Sequence, residues 1–168
     1  IQGDHGTMVA GVIAASHNDE LIAGLAPDVT IMSVSHPLSS RYTSGQELAS
    51  GISWAVEHGA DVINCSWGDR AGFYYVYLHS ALLEEALLNA VTEGREGKGC
   101  VVVFASGNAA ENRMVVDYPA CFTPELLVVG SINAQEKKSF PITPMLNAHS
   151  TRQQMHLPQS SIRILQSS

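Results

Sequence analysis

Residues 4–15, DHGTMVAGVIAA, place one histidine where a polar loop gives way to a run of small and apolar residues. Gly6 permits a sharp backbone turn, and the Thr7 side chain can cap the first turn of a helix. Because small residues recur along the run, we predict a thin helix that packs closely on a sheet and is buried on nearly every side. His5 would then lie at the mouth of the core.

The composition is that of a globular protein. The 168 residues are 45% hydrophobic and 15% charged, with a formal net charge of -7. This length allows one domain with a sizeable core, and the negative charge argues against a nucleic-acid partner. No apolar run reaches the length of a membrane span. Cys65, Cys100 and Cys121 lack paired spacing, so we expect small buried side chains and neither disulfides nor a zinc site.

Short apolar runs alternate with helical patterns along the chain. Ser44-x-x-Glu47 has the form of a capping box and opens a predicted helix that ends at Gly59; a second helix is predicted over residues 80–92. The runs typical of buried strands are residues 29–34, 61–66, 101–105 and 126–132. Strands that are apolar on both faces and alternate with helices indicate an α/β fold, a three-layer, mostly parallel sheet with helices on both faces.

The string His-Gly-Thr-x-Val-Ala-Gly at residues 5–11 resembles the histidine motif of the subtilisin-like serine proteases. In that family the histidine is the general base of a Ser-His-Asp triad. The resemblance therefore implies an incomplete subtilisin-like fold and a serine endopeptidase that cleaves peptide or protein substrates, without a cofactor for the chemistry. Taken alone, a histidine is more often a core or capping residue.

Further landmarks of the family follow in its order over roughly residues 3–140. They are Ala26-Pro27, Asn64-x-Ser66-x-Gly68, Asn108 and Tyr118-Pro119-Ala120. Asn108 comes directly after a predicted strand, and functional groups of open parallel sheets gather beyond the carboxyl ends of strands. The resemblance implies that the Asn108 amide donates a hydrogen bond to the oxyanion of the tetrahedral intermediate.

The resemblance also implies substrate contacts in two segments. The first matches the edge that pairs with an extended peptide and consists of Tyr42, Thr43 and Ser44. The second matches one wall of the primary specificity pocket and consists of Ser66, Trp67 and Gly68. A plain surface loop explains the first segment nearly as well, and a strand end whose tryptophan packs in the core is the alternative for the second.

A structural calcium ion is a further implication of the resemblance. In the family, the loop after the histidine helix holds calcium through an asparagine side chain and backbone carbonyls, and Asn18 is the matching residue. Calcium requires six to eight oxygen ligands. A solvated loop is an equal alternative, because some of the family's ligands come from segments that the sequence does not contain.

Two family motifs are missing from the sequence. The aspartate motif would lie upstream of His5, Asp4 is badly placed for the acid role, and no Gly-Thr-Ser-x-Ala string supplies the nucleophile. After Glu136 no acidic residue follows, and the pattern loses its period. We therefore expect a partial peptidase domain at residues 1–136, an aberrant or disordered tail at residues 137–168, and a chain that is inactive alone.

The chain begins without an initiator methionine or a signal sequence, so we expect it to be a piece of a longer protein. The resemblance favours an extracellular or cell-envelope location. One alternative function is a non-catalytic relative that binds peptides. A nucleotide-binding domain ranks lower, because the sequence contains neither Gly-x-Gly-x-x-Gly nor a P-loop string.

Overall fold

The computed structural model describes residues 4–38, 40–108, 116–131 and the backbone of residues 163–167. The helices are α1 (His5–Ala14), α2 (Ser44–Glu57), α3 (Tyr75–Leu78), α4 (Ala81–Thr92) and α5 (Gly94–Gly97). The strands are β1 (Thr30–Val34), β2 (Val62–Cys65), β3 (Val101–Ala105), β4 (Leu127–Val129) and β5 (Arg163–Ser167).

All five strands form one parallel sheet in the order β1-β5-β2-β3-β4. Each of the four predicted apolar runs contains a strand, and the predicted helices appear as α2 and α4. Residues 69–79, whose polar and aromatic composition favours a loop, contain the short helix α3. The prediction of an α/β fold built on a parallel sheet is confirmed.

Strand β5 is the main departure from the sequence analysis. It belongs to the segment for which no regular structure is predicted, yet it lies inside the sheet, between β1 and β2. Leu165 is opposite Met32 of β1 on one side and opposite Ile63 of β2 on the other. Residues 163–167 thus form a strand through backbone pairing on both sides, although their sequence pattern does not indicate one. The aberrant or disordered tail at residues 137–168 stays a prediction.

The core lies between the sheet and the pair of helices α2 and α4, which pack against each other. Along β2 and β3, buried residues alternate with half-buried ones, so Ile63 and Phe104 are fully buried while Val62 and Val103 are not. Among the described residues, β2 and β3 are therefore each fully covered on one face only. This differs from the predicted burial of both faces, although period-two alternation is the expected result of that arrangement.

Helix α1 is more exposed than predicted. Its one buried residue is Gly6, while Met8 and Val12 are 60% and 56% exposed. The helix begins at His5 after Asp4, so Thr7 is not its cap. The described residues cover only one side of α1. On that side the helix contacts β5 and the segment that follows α1 in the chain.

The start of α2 also differs by one residue from the predicted capping box. Thr43, not Ser44, precedes the helix, and its Oγ1 donates a hydrogen bond of 2.7 Å to Glu47 Oε1. The buried His36 lies 2.8 Å from Glu47 through its Nε2. The hydrogen bond from Thr43, and then the one from His36, lower the pKa of Glu47 below its ordinary value.

The three cysteines are unpaired thiols. Cys65 and Cys100 are buried as expected, and burial raises the pKa of each. Cys121 is exposed, which contradicts its predicted role as a buried side chain.

Candidate active site

His5 stands at the first position of α1 and reaches the end of β2. Its Nε2 lies 3.2 Å from the carbonyl oxygen of Ser66, which directly follows that strand. Because a carbonyl can only accept, Nε2 carries the hydrogen in this arrangement, and in a neutral imidazole the lone pair is then on Nδ1. His5 is itself exposed, so its ring is open to solvent.

Asn108 lies beyond the neighbouring strand β3. Strands β2 and β3 run parallel with Cys65 opposite Phe104, so the segments that follow them leave the sheet at the same edge. Asn108 is exposed there. The structure thus places the imidazole of His5 and the residues that follow β3, up to Asn108, at the carboxyl edge of the sheet, where functional groups of such sheets gather.

The segment Ser66-Trp67-Gly68 follows β2 at the same edge of the sheet, where Ser66 contacts His5. The Trp67 side chain is 7% exposed and packs edge-on against Phe104, with ring centroids 5.3 Å apart. The tryptophan side chain therefore belongs to the core, as one of the two interpretations predicts. The Ser66 side chain accepts a hydrogen bond of 3.0 Å from Asn64 Nδ2, so a ligand at this edge would meet the backbone of residues 66–68.

Asp117 is a residue of this region that the sequence analysis missed. Its backbone N–H donates to Ser106 O at 3.2 Å, while Asp69 N–H donates to Tyr118 O at 3.0 Å. These two hydrogen bonds connect residues 116–118 to the segment that follows β3 and to the segment that follows β2. The Asp117 carboxyl accepts a hydrogen bond of 2.9 Å from Ala71 N, and the residue is 4% exposed. Burial raises the pKa of Asp117, and the charge of Asp69 raises it further.

Two glycines make room for the Asp117 side chain. A Cβ on Gly107 would lie 2.4 Å from Asp117 Cγ, and one on Gly68 would lie 2.8 Å from Asp117 Cβ. Gly107 also has a φ of +99°, which L residues rarely adopt. The sequence could have pointed to Asp117, because this residue directly precedes the family landmark Tyr118-Pro119-Ala120.

The predicted peptide-pairing edge has a different local structure. Ser44 is fully buried in the first turn of α2, and its N–H donates to Arg41 O at 3.0 Å, which closes a turn. Tyr42 is exposed and packs on Tyr77 with ring centroids 5.1 Å apart. Residues 42–44 therefore form a turn and a helix start instead of an extended strand. Substrate pairing at this segment stays a prediction.

The loop that contains Asn18 shows no assembled cation site. Asn18 Oδ1 accepts a hydrogen bond of 3.2 Å from Glu20 N, a local turn contact. Within residues 4–38, 40–108 and 116–131, no three His, Cys, Asp or Glu side chains are grouped so that they could hold a metal ion. The predicted calcium ligands are an asparagine side chain and backbone carbonyls, which are groups of another kind, so the calcium ion stays a prediction.

Comparison with known proteins identifies the family. The model described as the subtilase family matches residues 2–158. The chain belongs to the subtilase family. The resemblance inferred from the motif of His5 is therefore confirmed, and with it a likeness to serine-type peptidases.

Several named proteases are similar to this subtilase chain. Subtilisin DY of Bacillus licheniformis is 32% identical over 137 residues, which cover 80% of this chain and 45% of that protein. The calcium-dependent protease of Trichormus variabilis is 35% identical over 121 residues, 65% of this chain and 17% of the relative. The minor extracellular protease Epr of Bacillus subtilis is 32% identical over 139 residues, which cover 83% of this chain and 20% of that protein. The subtilase chain thus spans less than half the length of these relatives.

No helix in the described part of the subtilase chain combines the length and the apolar character needed to cross a bilayer.

Proposed function

We propose that this subtilase chain is part of a serine endopeptidase, in which His5 is the general base and Asn108 donates to the oxyanion. The contact of 3.2 Å between His5 Nε2 and Ser66 O carries the proposal, because it holds the imidazole at the carboxyl edge of the sheet. Asn108 follows β3, which ends at the same edge. Family membership supports the same roles.

Each group would perform a defined step of acyl transfer. His5 Nε2 removes the proton from the attacking serine hydroxyl and returns it to the amine that leaves. As the serine oxygen bonds to the carbonyl carbon, negative charge develops on the carbonyl oxygen, and the Asn108 side-chain amide donates a hydrogen bond to it. The serine and the aspartate would come from segments that carry the two motifs missing from this sequence.

The contact with Ser66 also supports inactivity of the 168-residue chain by itself. A base must present a lone pair to the serine hydroxyl, whereas His5 Nε2 here donates its hydrogen to Ser66 O. A carboxylate at Nδ1 would hold the hydrogen on that nitrogen and free Nε2.

Two labelling experiments test the catalytic roles. The 168-residue chain, incubated with a fluorophosphonate probe, is expected to give no covalent adduct, and specific labelling would overturn the proposed inactivity. In a longer chain that adds the serine and aspartate segments, labelling is expected and His5→Ala should abolish it. Asn108→Ala should lower kcat by about 10²–10³, the size known for this donor in a subtilisin. Full activity of either variant would refute the assignment.

Nuclear magnetic resonance tests whether His5 faces a peptide site. Titration of the chain with an acetylated tetra-alanine peptide should shift the imidazole signals of His5. His58 is the matched control, because it is also exposed but stacks on Trp54 at 4.1 Å at the end of α2. Shifts confined to His58, or no shift at saturating peptide, would contradict a cleft at His5.

A non-catalytic peptide-binding domain is the second candidate. The observation in its favour is the same donated hydrogen bond, which leaves His5 Nε2 without a lone pair. Imidazole ¹⁵N shifts distinguish the two functions in the longer chain: a hydrogen on Nδ1 supports catalysis, and a hydrogen on Nε2 supports binding alone. We further propose an extracellular or cell-envelope location, in line with the name of the relative Epr.

A further inference from the structure

His36, which follows β1, uses both nitrogens of a buried imidazole ring. The residue is 6% exposed. Its Nε2 lies 2.8 Å from Glu47 Oε2 on α2, and its Nδ1 accepts a hydrogen bond of 2.9 Å from Leu38 N. Because Nδ1 accepts, the hydrogen of the neutral ring is on Nε2 and is donated to the Glu47 carboxylate. The neutral imidazole therefore closes a turn at residues 36–38 and joins this turn to α2.

The backbone of Leu38 is held in a conformation that a peptide-pairing edge cannot use. Its φ is +46°, a value that L residues rarely adopt. Strand addition requires extended backbone with negative φ and an N–H that is free to bond to the incoming peptide. Leu38 supplies neither while its N–H is bonded to His36. The closed turn thus interrupts the segment that leads to the predicted peptide-pairing edge at residues 42–44.

A proton on the His36 ring would break this turn. The imidazolium has a hydrogen on each nitrogen, so Nδ1 would direct its own hydrogen at the Leu38 N–H across 2.9 Å, and that hydrogen bond would be lost. The bond from Nε2 to Glu47 would be kept and strengthened by the charge. Protonation therefore releases Leu38 and leaves the connection of His36 to α2 in place.

The charged groups around His36 keep their charge while histidines titrate. Glu47 on α2 faces the ring, Arg41 from the segment before α2 acts on Glu47, and β1 contains no titratable residue. The hydrogen bond from Thr43, and then the one from His36, hold the pKa of Glu47 below its ordinary value. Glu47 is therefore a carboxylate throughout the pH range in which histidines change charge.

We propose that His36 is a pH-dependent switch that opens the peptide-pairing edge when its ring takes up a proton. The neutral ring holds the turn at residues 36–38 closed. The protonated ring releases Leu38, whose backbone can then extend and pair with a peptide. The edge is closed at higher pH and opens as the pH falls through the range in which His36 is protonated. The inference rests on the proposed function, since it requires a peptide that binds beside this segment.

Nuclear magnetic resonance of the 168-residue chain tests the switch without a peptide. At about pH 8 the ¹⁵N shifts of the His36 ring should show the hydrogen on Nε2. As the pH is lowered, the amide signal of Leu38 should move over the same pH interval as the ring signals of His36, because one proton causes both changes. A Leu38 signal that does not follow His36 would overturn the switch.

Binding of an acetylated tetra-alanine amide, which has no titratable group, tests the consequence. We expect its dissociation constant to be about 2- to 10-fold lower at about pH 5.5 than at about pH 8, the factor that one neutral hydrogen bond supplies. In His36→Asn the side-chain oxygen can still accept from Leu38 N but takes up no proton, so this pH dependence should disappear. His58→Asn is the matched control at an exposed histidine of α2's end and should retain it.

The outcomes separate the switch from the proposed function. Peptide binding that is independent of pH, or a pH dependence that survives in His36→Asn, would overturn the switch and leave the peptide site standing. Absence of peptide binding at both pH values would refute the proposed function and this inference together.

Discussion

The substitution Gly107→Ala tests the close packing of Gly107 against the buried carboxyl of Asp117. The new methyl group would lie within 2.4–2.6 Å of the three carboxyl atoms of Asp117, and the φ of +99° adds strain. Strain in this region costs an L residue roughly 1–2 kcal/mol, and overpacking adds about 1–3 kcal/mol. The expected loss is therefore roughly 2–5 kcal/mol in the free energy of unfolding, measured by urea denaturation. At about 2–4 °C per kcal/mol for a chain of this size, the loss is also visible in the melting temperature.

Gly97→Ala is the matched control for backbone strain. Gly97 has a φ of +81°, but a Cβ there would meet nothing within 4 Å, so only the strain of roughly 1–2 kcal/mol is expected. Repeating Gly107→Ala in an Asp117→Ala background removes the carboxyl atoms and should reduce its cost to that of Gly97→Ala. Equal losses for the two glycine substitutions in the parent chain, or no coupling between positions 107 and 117 in the double-mutant cycle, would refute the reasoning.

Three further predictions concern the fold. Phe104→Ala removes a fully buried ring and should cost about 3–5 kcal/mol in urea unfolding, whereas Phe73→Ala, at a residue 81% exposed, should cost less than about 0.5 kcal/mol; similar losses would contradict the described core. Leu165→Pro removes a backbone donor from a strand paired on both sides and should destabilise by roughly 1–3 kcal/mol, so unchanged stability would argue against β5. The lowered pKa of Glu47 contributes stability that is present above the ordinary glutamate pKa of roughly 4.3 and is lost as the pH falls through the folded pKa. Melting temperatures of Glu47→Gln should therefore fall less steeply than those of the parent below about pH 5, and parallel curves would exclude this linkage.

The elements that local pattern determines were predictable from the sequence. Residues 101–105 form a strand with the predicted bounds, because a short run that is apolar throughout, preceded by glycines, has no competing local structure. Residues 80–92 were equally readable, since their apolar spacing matches one helix face. The family motif around His5 indicated the likeness to serine-type peptidases, which the spacing of apolar residues alone does not show.

The remaining features depend on contacts between distant parts of the chain. The pairing of β5 with both β1 and β2 follows from backbone hydrogen bonds to distant strands, and the local sequence of residues 163–167 carries no comparable signal. Asp117 reaches the site because its N–H bonds to Ser106 and its neighbour bonds to Asp69, which no spacing rule anticipates. The exposure of α1 was likewise unpredictable, since it depends on which elements cover the helix.

The position of β5 between β1 and β2 also sets the order in which this sheet can be completed. Thr30 pairs with Arg163, so a ribosome must synthesise all of the intervening residues before the first strand finds this neighbour. During that interval β1 and β2 each present an open edge of backbone donors and acceptors, which other extended chains can pair with. Contacts this distant in sequence also slow folding, because the entropy of closing a long loop is lost before the pairing is gained. Until residue 163 has been synthesised, the facing edges of β1 and β2 can therefore pair only with strands other than β5.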